Sequence, residues 1–340
     1  MKAVCELKEQ SRVIGQDVES PACDQVLDYG AVLQDDVVRG RLYGPKGAPL
    51  IVIPGGISAS RFVADGRDGR EGSGGWWCEI VRPGGPVDLT RFQVLGVDLA
   101  PGPAQCDKRV TITTEDQARR LTRLLEHLGV ERVHSLIGMS YGGMVAMQFA
   151  TLFPMRMGKL CIFGAAHRPW PFAVGLRGIG RRIIEEMARL GDAKKGLELA
   201  RALAMTTYRS PEEFADRFEA RPDGQTPPRF DVGEYLDARG RAYPDIMPVN
   251  RFLALSESID LHRIDASRIT CPTTLIAVSS DQLAPVSEMQ AFKDALGGPA
   301  RLHVFDSIYG HDSFLKSTEH LAPILEAFCE EAARRPVHAA

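Results

Sequence analysis

Short apolar runs alternate with amphipathic stretches along most of the chain. Leu50 to Ile53, Phe92 to Leu99, Val133 to Met139, Lys159 to Phe163, Thr273 to Ser280 and Arg301 to Phe305 each read as a strand, and runs with so few polar positions suit a parallel sheet covered on both faces. Helical patterns lie between them. Thr113 to His127 opens with an acidic first turn and closes at Gly129; Met144 to Ala150, Val286 to Leu296 and Thr318 to Arg335 follow, with the acid placed where the helix dipole favours it. Strand, helix and strand in repetition predict right-handed crossovers, hence an α/β fold with a mostly parallel central sheet and helices on both faces.

Elsewhere the pattern is less regular. Residues 1–30 are polar and mixed, Ala31 to Leu33 with Val37 to Gly44 predict an antiparallel hairpin at the sheet edge, and Val63 to Gly75 predicts an exposed, mobile glycine-rich loop. From about Arg168 to Asp265 helical segments (Arg181 to Leu190, Ala193 to Met205) alternate with proline-rich stretches and no strand is apparent. The expected organisation is a core of residues 1–167 and 266–340 interrupted by an inserted helical cap, 168–265.

The stretch Val133-His134-Ser135-Leu136-Ile137-Gly138-Met139-Ser140-Tyr141-Gly142-Gly143-Met144 joins a buried strand to a buried helix through Gly-x-Ser-x-Gly. That is a nucleophile elbow: the turn is too tight for ordinary side chains, and the flanking glycines let the serine hydroxyl project away from the backbone. A structural Gly-Ser turn is the alternative, and the strand-before, helix-after context favours the elbow.

A serine hydroxyl needs a base within reach and an acid to orient the base. Of the eight histidines, His127 and His134 flank a connection at the opposite sheet edge, His303 lies in a strand, His320 in a closing helix, His338 in the tail, and His167 and His262 at the borders of the cap. His311 falls in the Ile308-Tyr309-Gly310-His311-Asp312 loop after the last strand, and Asp281 follows the strand before it. Ser140, Asp281 and His311, each after a separate strand, stand in the chain order of an α/β-hydrolase. Asp98, at the end of an earlier strand, is the rival acid. The bend Pro54-Gly55-Gly56-Ile57 is placed to offer a backbone N–H to an oxyanion. Of the adjacent Trp76 and Trp77, which a regular element would turn apart, one is expected to help line a pocket wall.

Composition narrows the function. With 340 residues and a formal charge of −3, neither half is strongly basic, which speaks for a small-molecule substrate over nucleic acid or a membrane surface. Seven cysteines without a Cys-x-x-Cys pair predict reduced thiols in the cytoplasm rather than a disulfide framework or structural zinc. The N-terminus lacks the apolar core of a signal peptide, and no run is long enough to span a bilayer. Neither a phosphate-cradling loop nor a histidine-rich cluster occurs, so no resident cofactor or metal is expected.

Several of these stretches are similar to one family. Gly75-Trp76-Trp77, Pro83-Gly84 with Val87-Asp88, the elbow continuing Gly142-Gly143-Met144, Thr207-Tyr208-Arg209-Ser210, Ser280-Asp281 with Pro285, and Tyr309-Gly310-His311-Asp312-Ser313-Phe314-Leu315 resemble the homoserine O-acyltransferases of the α/β-hydrolase superfamily. Members transfer an acetyl or succinyl group from coenzyme A to homoserine. The family usually has methionine where Tyr141 stands, and Pro101-Gly102-Pro103-Ala104-Gln105 replaces its glycine-serine-rich loop.

The resemblance implies an acyl-Ser140 intermediate formed from acyl-CoA as co-substrate, a ping-pong cycle within methionine biosynthesis, and oxyanion donors at the N–H of Ile57 and Tyr141. It further implies that Asp312 and Arg209 hold the amine and carboxylate of L-homoserine or a similar hydroxy amino acid, and that the protein is a homodimer through its cap. Arg168, Arg177, Arg181, Arg182 and Arg209 are the cap arginines able to meet a succinyl carboxylate. An L-serine O-acyltransferase, an esterase or amidase with the same three residues, and a non-enzymatic ligand receptor on this fold are the other readings.

Overall fold

The computed structural model describes residues 14–66 and 74–331. Cys5, His338 and the middle of the predicted 63–75 loop lie outside the described residues. The central sheet has eight strands: β1 (Gln16–Glu19), β2 (Arg39–Tyr43), β3 (Leu50–Ile53), β4 (Gln93–Val97), β5 (Val133–Met139), β6 (Met157–Phe163), β7 (Thr273–Val278) and β8 (Ala300–Phe305). Their spatial order is β1-β2-β4-β3-β5-β6-β7-β8. The pairs β1/β2 and β2/β4 are antiparallel, and all the others are parallel.

The helices are α1 (Thr114–His127), α2 (Tyr141–Leu152), α3 (Pro171–Arg189), α4 (Ala193–Tyr208), α5 (Pro211–Arg217), α6 (Asp231–Arg241), α7 (Val249–Leu261), α8 (Val286–Ala295), α9 (Ser313–Lys316) and α10 (Thr318–Glu330). Thr113 caps α1 by accepting from the Asp116 N–H, and Asp116 returns a carboxylate to the Thr113 N–H, which satisfies two N–H groups the helix cannot.

The inner strands look continuously apolar because alternate residues feed two cores. Leu50, Val52, Leu95, Leu136 and Leu160 pack with α1, α2 and α8 on one face. Ile51, Ile53, Val94, Ile137 and Phe163 pack with Leu321, Leu325 and Phe328 of α10 on the other. Helices α3 to α7 all lie between β6 and β7 in the chain. A third apolar cluster joins this segment to the strand ends, through Ile184, Leu197, Tyr243, Phe252 and Leu255 against Ile57, Leu99 and Val145.

Three sequence expectations differ from the structure. The predicted hairpin does not form: Val32–Asp36 pairs instead with Cys23–Val26 in a separate two-stranded sheet, while β2 pairs with β1 and β4. Asp36 explains the divergence, since its buried carboxylate is held by Arg120 and Arg123 of α1 and draws its strand away from β2. Strand β1, within the polar first 30 residues, has mostly exposed side chains and joins the sheet through its backbone, so it carries no apolar pattern. In the predicted exposed loop, Val63 and Ala64 are buried, and Asp65 is gripped by Arg41 and Tyr43.

Candidate active site

Strand β3 leads on to β4 on one side and β5 lies on the other, so the order reverses where the carboxyl ends of β3 and β5 meet. Open α/β sheets form a crevice at such a point, and Gly56 and Ser140 leave the sheet there. Ser140 has φ +51° and ψ −123°, a strained conformation for a residue with a side chain. Its neighbours make the turn feasible. A Cβ on Gly138 would fall 2.6 Å from the Gly143 Cα, and one on Gly142 would fall 2.0 Å from the Pro54 carbonyl oxygen and 2.5 Å from that of Gly55.

Both obstacles at Gly142 are backbone, which no rotamer change can clear. Gly142→Ala is therefore expected to cost at least the upper end of the usual overpacking penalty, about 3 kcal/mol, and to separate the elbow from the Gly55-Gly56 bend. Thermal unfolding checks this against Gly56→Ala, where a Cβ would meet only the Ser140 Cβ at 3.9 Å; equal melting temperatures for the two variants would contradict it.

Ser140, Asp281 and His311 come together as one hydrogen-bonded chain. The Ser140 Oγ is 2.8 Å from His311 Nε2, and His311 Nδ1 is 2.8 Å from Asp281 Oδ2. The other oxygen of Asp281 accepts from the N–H groups of Leu283 and Ala284, so the carboxylate presents Oδ2 to the ring. Burial alone lowers the basicity of His311, but the charge and hydrogen bond of Asp281 outweigh it and leave the imidazole more basic than usual. The ring lies beside Tyr208, with centroids 6.0 Å apart at 29°, and packs edge-to-face with Phe314 at 6.3 Å and 84°. Asp98, the rival acid, binds Arg61 instead.

The N–H groups of Ile57 and Tyr141 meet no protein acceptor among the described residues. Just after Ile57 the Ser58 hydroxyl is 2.8 Å from that of Tyr243, which ties this loop to the residues ahead of α7. Tyr141 supplies only its backbone here. Its phenol turns into the core, 2.7 Å from the Ser258 hydroxyl, and burial pushes it up to about 12.

Over these groups lies a cavity of about 270 Å³, walled by Trp76, Met144, Trp170, Leu176, Tyr208 and Phe314 among others. The loop 101–105 is not part of its wall; Gln105 reaches the buried Asp36 instead. Of the cap arginines singled out in the sequence, Arg168 and Arg177 reach the cavity. They pair with Glu288 and Asp260 respectively, and Asp260 also binds Arg181.

Asp312 faces the cavity, its carboxyl pushed up by burial against the opposing pull of Arg209, His311 and Arg201. Arg209 does not line it: the guanidinium is taken up by Glu213 and, at 3.0 Å, by Asp312. Sequence reasoning missed Arg201. It lines the cavity, lies over the rings of Tyr208 and Tyr243 at 5.0 and 4.5 Å, and has no carboxylate within 4.0 Å among the described residues. The signal was the helical stripe Arg201, Ala204, Tyr208, which puts one charge among small and aromatic residues on a single face of α4.

The comparisons with known proteins agree with this architecture. Residues 48–318 match the α/β hydrolase fold family model. The chain is 38% identical over 292 residues to a homoserine O-succinyltransferase of Xanthomonas campestris, covering 85% of this chain and 77% of the relative. The chain belongs to the homoserine O-acyltransferase family.

A homoserine O-acetyltransferase of Geotalea uraniireducens is 30% identical over 347 residues, covering 90% of this chain and 94% of the relative. Among solved structures, the homoserine O-acetyltransferase of Bacillus anthracis superposes with a TM-score of 0.85 at 16% identity, covering 94% of this chain and 99% of that one; at that identity the likeness concerns the fold. As a homoserine O-acyltransferase family member the chain is an acyltransferase enzyme. Among its described residues no helix is long and apolar enough to cross a membrane, and no group of three or more His, Cys, Asp or Glu is arranged to hold a metal.

Proposed function

We propose that the protein moves an acyl group from acyl-CoA to the side-chain hydroxyl of L-homoserine, through an acyl-enzyme on Ser140. The observation that carries this reading is the Ser140–His311–Asp281 chain on a cavity that also holds a guanidinium with no carboxylate partner among the described residues, Arg201, and a half-buried carboxylate, Asp312. A zwitterionic amino acid offers the complement of both.

His311 Nε2 takes the Ser140 proton as Oγ attacks the thioester carbon, and the negative oxygen that forms is met by the N–H of Ile57 and of Tyr141. Losing one such donor typically costs about 100-fold or more. The C–S bond then breaks and His311 returns the proton to the departing thiolate. In the second half the homoserine hydroxyl gives its proton to His311 and attacks the acyl carbon, and Ser140 leaves with that proton. Arg201 takes the amino acid's carboxylate and Asp312 its ammonium, while Arg209, at 3.0 Å, aims the Asp312 carboxyl and opposes the burial that raises it.

The donor in this reading is succinyl-CoA. Arg168 and Arg177, although paired with Glu288 and Asp260, put guanidinium groups on the cavity wall that a terminal succinyl carboxylate can share and acetyl cannot, and the Xanthomonas relative carries the succinyl name where the Geotalea one carries the acetyl name.

Thiol release from succinyl-, acetyl- and propionyl-CoA, with and without L-homoserine or L-serine, tests the whole reading. Fastest turnover is expected with succinyl-CoA and homoserine; hydrolysis of simple esters with no transfer to either amino acid would overturn it. Arg201→Ala is expected to raise the KM for homoserine about 30-fold or more while the thiol burst of the first half-reaction survives. Stopped-flow detection of free thiol separates the two, and an unchanged KM would remove Arg201 from the acceptor site.

A further inference from the structure

The adjacent Trp76 and Trp77 serve no step of the reaction as described, yet their rings stack at 5.7 Å and 16°. Side chains at consecutive positions diverge on a helix or strand. Here the chain turns at residues 76–80, and the backbone N–H groups of both are tied to the carbonyls of Phe62 and Val63.

Each indole then reaches a different loop of the site. The Trp76 Nε1 donates to the Ser60 carbonyl at 2.8 Å, and its ring covers Gly55 so closely that a Cβ there would fall 2.8 Å from a ring carbon. That braces the bend containing Gly56 and Ile57. The Trp77 indole is buried, and its Nε1 donates at 2.8 Å to the carbonyl of Phe314, 237 residues further along. The Phe314 ring in turn packs edge-to-face with those of His311 and of Phe163 at the end of β6.

We propose that Trp76 and Trp77 are positioning residues that hold the Gly55-Gly56-Ile57 bend and the His311 loop in register across Ser140. This rests on the reading of Ser140, Asp281 and His311 as the reacting groups. Two stacked indoles form a stiff unit with few torsions, and each donor fixes one loop to it. An unmet carbonyl at Phe314 would free the His311 loop, and misplacement of reacting groups by about 1 Å costs on the order of 100-fold in rate.

The test uses full-length Trp77→Phe and Trp76→Phe, each of which keeps an aromatic ring and loses the indole donor. Amide exchange is followed by mass spectrometry without substrate, and single-turnover thiol release from succinyl-CoA is followed against pH. Trp77→Phe is expected to speed exchange in 311–315 but not in 56–60. It should slow acylation about 10- to 100-fold with KM for the donor within about twofold. The pH midpoint should move down, because contact with Asp281 is what raises the basicity of His311. Trp76→Phe should speed exchange in 56–60 and slow acylation with the midpoint unmoved.

Either variant, folded by near-UV circular dichroism, with unaltered exchange and rate overturns the proposal, as does equal acceleration of exchange in both loops. Should Trp77→Phe not fold, Trp76→Phe decides by the same criteria. The exchange pattern needs no turnover, so its presence in a protein inactive on every donor and acceptor would sink the proposed function and leave the coupling standing.

Discussion

Ser140→Ala is expected to reduce thiol release from acyl-CoA by about 10⁵-fold or more, the scale of loss when a serine nucleophile is deleted from such a set, and to abolish the acyl adduct seen by intact-protein mass spectrometry. The hydroxyl's hydrogen-bond partner among the described residues is His311, so its removal leaves the packing of β5 and α2 intact. The melting temperature should therefore stay within the range of an ordinary surface substitution, about 0.5 kcal/mol in stability. That combination separates chemistry from folding. A Ser140→Ala protein that still turned over within tenfold of the parent rate would end the acyl-serine mechanism.

The second large effect is expected at Asp281, where the substitution changes one atom's hydrogen bonding. One carboxylate oxygen accepts from the N–H groups of Leu283 and Ala284, and the other faces His311 Nδ1. An asparagine in the same pose must keep its carbonyl on the two N–H donors and turn its NH₂ to the ring. Nδ1 is then forced to accept, the ring proton moves to Nε2, and Nε2 no longer accepts from Ser140. Asp281→Asn is thus expected to fold normally and lose about 10⁴-fold in acylation rate. Single-turnover thiol release measures it. A loss below about tenfold would mean that another group orients His311.

Much of the site was legible because the constraints on it are local. Gly138 and Gly142 are required by atoms within a few ångströms of the elbow, and such a turn writes itself as a short motif. Asp281 and His311 were legible because each follows a strand that is itself readable as an apolar run. Trp76 on the cavity wall and Trp77 in the core match the expectation that one of the pair lines a pocket but not its reason, since the chain turns at 76–80 and the rings stack instead of diverging. Arg209 and Arg201 could not be ranked in the same way, because a guanidinium's role depends on which carboxylate it meets. Arg209 meets Glu213 and Asp312; Arg201 meets two aromatic rings.

By itself, then, the sequence determined the α/β class, the parallel character of the inner sheet, the elbow and the order of its three polar residues. These depend on burial period and on turn strain, which act over a few residues. Only the tertiary structure decided that β2 pairs with β1 and β4, that the Tyr141 phenol turns to Ser258, that Arg201 lies over two aromatic rings at the cavity, and that Trp77 reaches Phe314. Each of those depends on how elements far apart in the chain are rotated and packed against one another, and no local pattern records that rotation.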